Sequence, residues 1–171
     1  MDMNFSAGKI NVLVAYDNFG SGCRAMTLLK RIAGRGRVRG ELTHVMWRFD
    51  LMADAAFFEL AVSAAVAANV VVIATAEEYQ LPRTVREWVV QWLLRKADVP
   101  QALVATFEHN PAKASGHGRI AADLETLAGR GRVQFFSNGT GPAREFDFGR
   151  VQGNDWAMDS ALVRPQAAGQ N

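Results

Sequence analysis

The sequence has a single cysteine, Cys23, among its 171 residues, so no disulfide can form within the chain. No cluster of cysteine and histidine has the spacing of a structural zinc site. This cysteine usage is typical of a reducing compartment, and we expect the protein to be cytoplasmic.

Long apolar runs are also scarce. The longest, residues 60–73, is interrupted by Ser63 and Asn69 and is too short and too rich in alanine to cross a bilayer. Residues 1–8 lack the basic start and apolar run of a signal peptide. We therefore expect no membrane association.

Neither sign of charge dominates the chain. The 19 Lys and Arg residues against 17 Asp and Glu leave a net charge of only +2, which does not favour a nucleic-acid partner. The basic stretches at residues 34–37 and 130–132 are short and lack interleaved aromatic residues, which is typical of solvated connectors. With 49% hydrophobic residues, the chain suits one domain with its own core.

Apolar strand patterns alternate with helical spacings up to Asn138. The predicted strands are residues 10–16, 41–49, 70–75, 102–107 and 133–136, and the predicted helices are residues 23–33, 54–68, 82–96 and a last helix ending near Leu127. Residues 70–75 (VVVIAT) are the best candidate for a central strand, whereas the alternation in residues 41–49 is typical of a strand nearer an edge. We expect Asp54 to cap a helix, Pro82 to open one, and Trp88 and Trp92 to pack in the core.

This alternation predicts an α/β fold. It implies right-handed crossovers and a parallel sheet covered on both faces, a three-layer α/β/α sandwich. Five strands favour the strand order 2-1-3-4-5. After Asn138 the pattern fades, so we expect a domain at residues 1–138 and an extended tail at residues 139–171, anchored by Phe146, Phe148 and Trp156 on the domain or on a partner subunit.

In open parallel sheets, ligands bind beyond the carboxyl ends of the strands, where the strand order reverses. That principle brings together three loops, at residues 17–24, 76–82 and 108–118. The candidate ligand-binding residues there are Asn18, Gly20, Ser21, Gly22, Cys23, Arg24, Glu78, Tyr79, Gln80, His109, Gly116 and His117. No catalytic residue can be assigned among them.

The first loop, DNFGSG followed by Cys23 and Arg24, can hold an anion. Its glycines leave backbone N–H groups accessible, the following helix adds its positive end, and Ser21 and Arg24 can donate hydrogen bonds to a phosphate. A tight turn in which the glycines only permit packing explains the same residues, and both interpretations stay open. Residues 20–25 also match G-x-G-x-x-A, but they start three residues after the strand, and no acid lies where a dinucleotide site needs one. Cys23 at a helix start could be a nucleophile, although a small inert residue is the better interpretation.

The other two loops offer a ring contact and little metal chemistry. Tyr79 can stack on a planar ring. His109 and His117, with Glu108, are candidate metal ligands. They offer no firm third ligand and lie in an irregular loop, so we expect no metal.

Residues 10–138 resemble the flavodoxin-like superfamily, and within it the NADPH-dependent FMN reductases and quinone reductases. Gly20-Ser21 with Arg24 is similar to their first loop, which holds the FMN phosphate. The second loop is similar at Tyr79 and Pro82, and residues 115–118 correspond to their glycine-rich third loop beside the flavin. The resemblance implies FMN and an NAD(P)H-dependent flavin oxidoreductase.

The chain departs from that family in its second loop. The segment from Tyr79 to Pro82 is shorter, Ala76 and Glu77 stand where a proline is usual, and Glu77 and Glu78 place negative charge near an electron-rich ring. The chain also resembles uncharacterised bacterial proteins with the same strand plan, which imply no activity. Response-regulator receivers share this plan, but no phosphoacceptor Asp follows the third strand here and no Lys follows the fifth, so we do not expect phosphorylation.

Two hypotheses follow from the sequence. The first is an FMN-dependent enzyme with its phosphate on residues 20–24 and its ring between Tyr79 and the loop of His117. The second is a non-catalytic interaction module that acts through a partner or as a homodimer, because the second loop departs from the family pattern and the tail carries Trp156.

Overall fold

Apolar strands and amphipathic helices alternate in the computed structural model, which describes residues 8–34, 40–96, 101–108 and 114–138. Their order and bounds are β1 Ile10–Tyr16, α1 Phe19–Gly34, β2 Leu42–Arg48, a 3-10 turn Phe49–Ala53, α2 Ala55–Ala67, β3 Val70–Thr75, α3 Arg83–Arg95, β4 Ala102–Phe107, α4 Ala114–Arg130 and β5 Gln134–Ser137. The tail predicted at residues 139–171 lies outside the described residues. No helix in the described ranges is long and apolar enough to cross a bilayer.

The five strands form one parallel sheet in the order β2-β1-β3-β4-β5. This confirms the predicted order, which is that of a flavodoxin-like fold. In register, Val12 pairs with Val70 and Val70 with Ala102, so β1, β3 and β4 end at the same edge of the sheet. The strand order reverses between β1 and β3, and a ligand site is expected at that place.

Helices cover both faces of the sheet. Alternate strand residues, among them Leu13, Val71 and Leu103, pack with α2, α3 and α4, whereas their neighbours pack with α1. Every residue of β3 and β4 is buried, as the continuous apolar runs predict for strands covered on both sides. Trp88 and Trp92 are fully buried and stacked with ring centroids 6.5 Å apart, which confirms the prediction that they pack in the core.

Helix α1 begins at Phe19, four residues before its predicted start. Asn18 is the reason, because its Oδ1 accepts a hydrogen bond from Ser21 N–H at 3.0 Å while its carbonyl accepts one from Gly22 N–H at 3.0 Å. The predicted loop at residues 17–22 is therefore wrong beyond Asn18, and Gly20, Ser21 and Gly22 are helical.

Other boundaries differ by a few residues. Helix α4 begins at Ala114, so Gly116 and His117 lie on a helix and not in the predicted loop, and it continues to Arg130 instead of Leu127. Pro82 is the N-cap of α3 and not its first helical residue. Asp54 caps α2 as predicted, accepting the N–H groups of Ala56 and Phe57.

Candidate functional site

A carboxylate joins the ends of β1 and β3 where the strand order reverses. Asp17, the first residue after β1, accepts hydrogen bonds at Oδ2 from Thr75 Oγ1 at 2.8 Å and from Ala76 N–H at 2.6 Å. Thr75 Oγ1 in turn accepts the Glu77 N–H at 2.9 Å. The other oxygen, Asp17 Oδ1, is buried and accepts no hydrogen bond from the described residues. This network fixes the backbone at the rim of the sheet, the edge where β1 and β3 end, and leaves Asp17 Oδ1 without a donor among the described residues.

The cavity above this network is acidic. It has a volume of about 480 Å³ and is lined by Asp17, Asn18 and residues 76–79. Three of these lining residues, Asp17, Glu77 and Glu78, are acids. Such a lining favours hydrogen-bond donors and cations and opposes a phosphate group.

The residues predicted to cradle a phosphate are largely engaged with one another. Ser21 is fully buried, and its Oγ accepts a hydrogen bond from Arg24 Nη2 at 2.8 Å. Gly22 is also buried, and a Cβ there would lie 3.2 Å from Cδ2 of Tyr16, so this glycine serves close packing of α1 on β1. Gly20 and Cys23 are exposed on the first two turns of α1.

The second loop lies at the rim, as predicted. The Tyr79 side chain is 71% exposed, Gln80 is exposed, and Glu78 is partly buried. Helix α4 abuts this loop so closely that a Cβ on Gly116 would lie 1.5 Å from the carbonyl oxygen of Glu78. The structure therefore brings the first turn of α4 against the second loop.

His117 occupies a different environment from the one expected. Its residue is only 2% exposed, and its ring stacks on Phe107 with centroids 4.9 Å apart. It therefore belongs to the packing beneath the rim and not to an open loop. His109 lies outside the described residues, and the part of the chain that is described contains no group of three metal-ligating side chains.

A second cavity, of about 290 Å³, lies between α3 and α4 and shares Tyr79 with the first. Arg83, Arg86, Arg119 and Asp123 line it. Arg86 donates to both oxygens of Asp123, at 2.9 and 3.1 Å, and these hydrogen bonds, with the charge of that carboxylate, raise the pKa of Arg86. These four residues were not among those predicted for the site. Their signal was the spacing of Arg83 and Arg86 on α3 and of Arg119 and Asp123 on α4, two helices that consecutive crossovers place side by side.

No protein-family model and no curated protein sequence matches the chain. Among solved structures, the chain is similar to the Trp repressor binding protein from Bacillus subtilis, with 9% identity over 78% of this chain and 90% of that one, and a TM-score of 0.45. It is also similar to a solute-binding protein of an ABC transporter from Burkholderia multivorans, with 12% identity over 77% of this chain and 60% of that one, and a TM-score of 0.35. At these identities the similarity concerns the course of the chain and says nothing of a ligand.

Proposed function

We propose that the rim between β1 and β3 binds a planar, phosphate-bearing small molecule, with FMN as the first candidate. The observation that carries this proposal is the position of Tyr79. Its largely exposed ring lines both cavities, and the acidic one lies where the strand order reverses. An exposed aromatic face beside two cavities is suited to stack on a flat ligand ring, which removes apolar area of both rings from water.

The residues around Tyr79 fit the two ends of such a ligand differently. The carboxylate of Asp17 suits the single N–H of the oxidised flavin ring, whereas the guanidinium groups beyond Tyr79 suit a phosphate. Bound FMN would supply the hydride and electron transfer of an NAD(P)H-dependent oxidoreductase, and the chain would bind and orient it.

Titration of FMN into the purified protein tests this function, with quenching of flavin fluorescence and the visible absorption spectrum as readouts. We expect Tyr79→Phe to retain binding and Tyr79→Ala to weaken it about tenfold, because only the second variant removes the stacking surface. Leu94→Ala is the matched control, since Leu94 is equally exposed but lies at the far end of α3. Absence of binding to the wild type, or equal binding by all three variants, would contradict the proposal.

A second candidate function, an interaction module that forms a homodimer, is favoured by strand β2. This strand is at one edge of the sheet, its Val45 is 50% exposed, and Met46 is exposed as well. Its seven residues contain no proline and one formal charge, Arg48, at the end. A long apolar edge without blocking charges is a template for pairing with another strand.

The occupant that β2 fits is a second copy of itself. In an antiparallel pair centred on Val45, Val45 would lie opposite its own copy and Thr43 opposite Trp47, which are favourable cross-strand pairs. Arg48 would lie opposite Leu42, so no like charges would be opposed. The 3-10 turn beside β2 carries exposed Leu51, and α2, which packs on that turn, carries exposed Phe57 and Leu60. These side chains would extend the interface beyond one strand pair.

A further inference from the structure

The cavity between α3 and α4 has an excess of positive charge. Arg86 is neutralised by Asp123, and Arg83 is paired with Glu87 at 2.8 Å in an exposed salt bridge. Arg119 forms no ion pair with any residue that the structure describes. Within the described ranges, one guanidinium at this cavity is therefore uncompensated and can donate N–H groups to a ligand.

The beginning of α3 adds to this excess. Its N-cap is Pro82, which offers no side-chain acceptor, and its first turn contains no acidic residue. The N–H groups at the start of α3 are thus not capped by a side chain, and the positive end of the helix dipole lies on the same cavity as Arg83. The first turn of α4 also contains no acidic residue.

The first turn of α1 likewise contains no acidic residue, but some of its donors are already used and an acid stands beside it. Asn18 takes the N–H of Ser21, and the Ser21 hydroxyl accepts from Arg24. The Asp17 carboxylate stands beside this helix start and lines the acidic cavity. A phosphate there would meet the Asp17 charge and one cation, Arg24, which like Arg119 forms no ion pair with a described residue. In the second cavity it would meet three arginines and one acid, Asp123.

We infer that the anionic group of the ligand binds in the cavity between α3 and α4, held by Arg119 with Arg83 and Arg86, and not at the N-terminus of α1. The inference rests on the proposed function for its ring contact at Tyr79. It reverses the orientation of the ligand that the sequence led us to expect. The phosphate lies on the α3 side of Tyr79, and the hydrogen-bonding edge of the ring lies on the α1 side.

Riboflavin, which is FMN without its phosphate, separates this inference from the proposed function. We expect Arg119→Gln to raise the Kd of FMN about tenfold, because one charge-assisted hydrogen-bonding partner is lost, and to leave the Kd of riboflavin unchanged. Arg130→Gln, an exposed arginine at the other end of α4, is the matched control and should change neither. If both flavins bind but Arg119→Gln weakens neither, the inference is overturned while the proposed function stands.

Inorganic phosphate tests the anion site without any flavin. In amide NMR spectra of the full chain, we expect added phosphate to shift resonances at the starts of α3 and α4, and the shifts to be lost in Arg119→Gln. This outcome would support the anion site even if no flavin binds. Shifts confined to residues 19–24, or no shifts at all, would overturn the inference.

Discussion

Asp17 is the residue that holds the rim together, because one of its oxygens serves two elements at once. Oδ2 accepts both the Thr75 hydroxyl and the Ala76 N–H, so the end of β1 is tied to the end of β3. Both contacts join residues that are 58 or 59 positions apart in the sequence. An acid directly after a strand can be found in the sequence. Its hydrogen-bond partners cannot be found there, because they depend on which strands pair.

Truncation of this side chain should therefore cost stability. We expect Asp17→Ala to lower the free energy of unfolding by about 1–3 kcal/mol, because partly buried donors at Thr75 and Ala76 lose their acceptor. Asp17→Asn should cost less, since the amide keeps one oxygen in that place. Urea denaturation measures both changes.

The control for this substitution is Asp50→Ala. Among the described residues, the Asp50 side chain accepts only from Arg48, and both side chains of that pair are exposed, so its loss should stay within about 0.5 kcal/mol. Equal losses for the two alanine variants would show that the Asp17 contacts add nothing to the stability of the rim.

Among the elements, α4 and the loop after β3 approach each other closely at the site. Gly116→Ala would place a methyl group 1.5 Å from the Glu78 carbonyl oxygen, so α4 or the loop must shift. We expect a loss of about 1–3 kcal/mol from this overpacking. Thermal or urea unfolding measures it, and ligand binding at Tyr79, one residue beyond, should weaken with it.

Gly129→Ala on the same helix provides the comparison. A Cβ at Gly129 meets nothing within 4 Å, so this change should be neutral or should stabilise α4 by up to about 1 kcal/mol through helix propensity. A Gly116 variant as stable as the Gly129 variant would mean that the close approach is relieved without cost.

The same elements explain how far the sequence alone leads. Strands β3 and β4 were predictable because burial on both faces requires a continuous apolar run, and the order of the sheet then followed from the alternation with helices. The starts of α1 and α4 were not predictable, because glycines at residues 20, 22 and 116 are typical of turns. The cap at Asn18 decides the conformation at the start of α1, and packing against Glu78 decides it at the start of α4. At the site, the position of the Tyr79 loop at the carboxyl ends of the strands was predicted, but the arginine cavity depends on which faces of α3 and α4 meet.

On the scale of the whole molecule, the fold leaves two unequal edges in its described sheet. At one edge β5 has only four residues, and at the other β2 has seven, with Val45 half-exposed at its centre. Short edge strands protect a sheet from pairing, and β2 lacks that protection as well as any inward charge. The asymmetry favours β2 over β5 as the strand through which the proposed pairing with a second copy would occur.

We therefore expect the wild type to be a dimer in sedimentation velocity and light scattering, and Val45→Lys to convert it into a monomer, because two lysines would face each other on the two-fold axis. Leu94→Lys, at an equally exposed apolar position on α3, should leave the dimer intact. Lysine is well tolerated on an exposed edge strand, so the monomeric variant should unfold within about 1 kcal/mol of the wild type. It should also bind FMN as the wild type does, since Tyr79 lies outside this surface. A monomeric wild type, or a Val45→Lys protein that still dimerises, would remove β2 as the interface and with it the case for an interaction module.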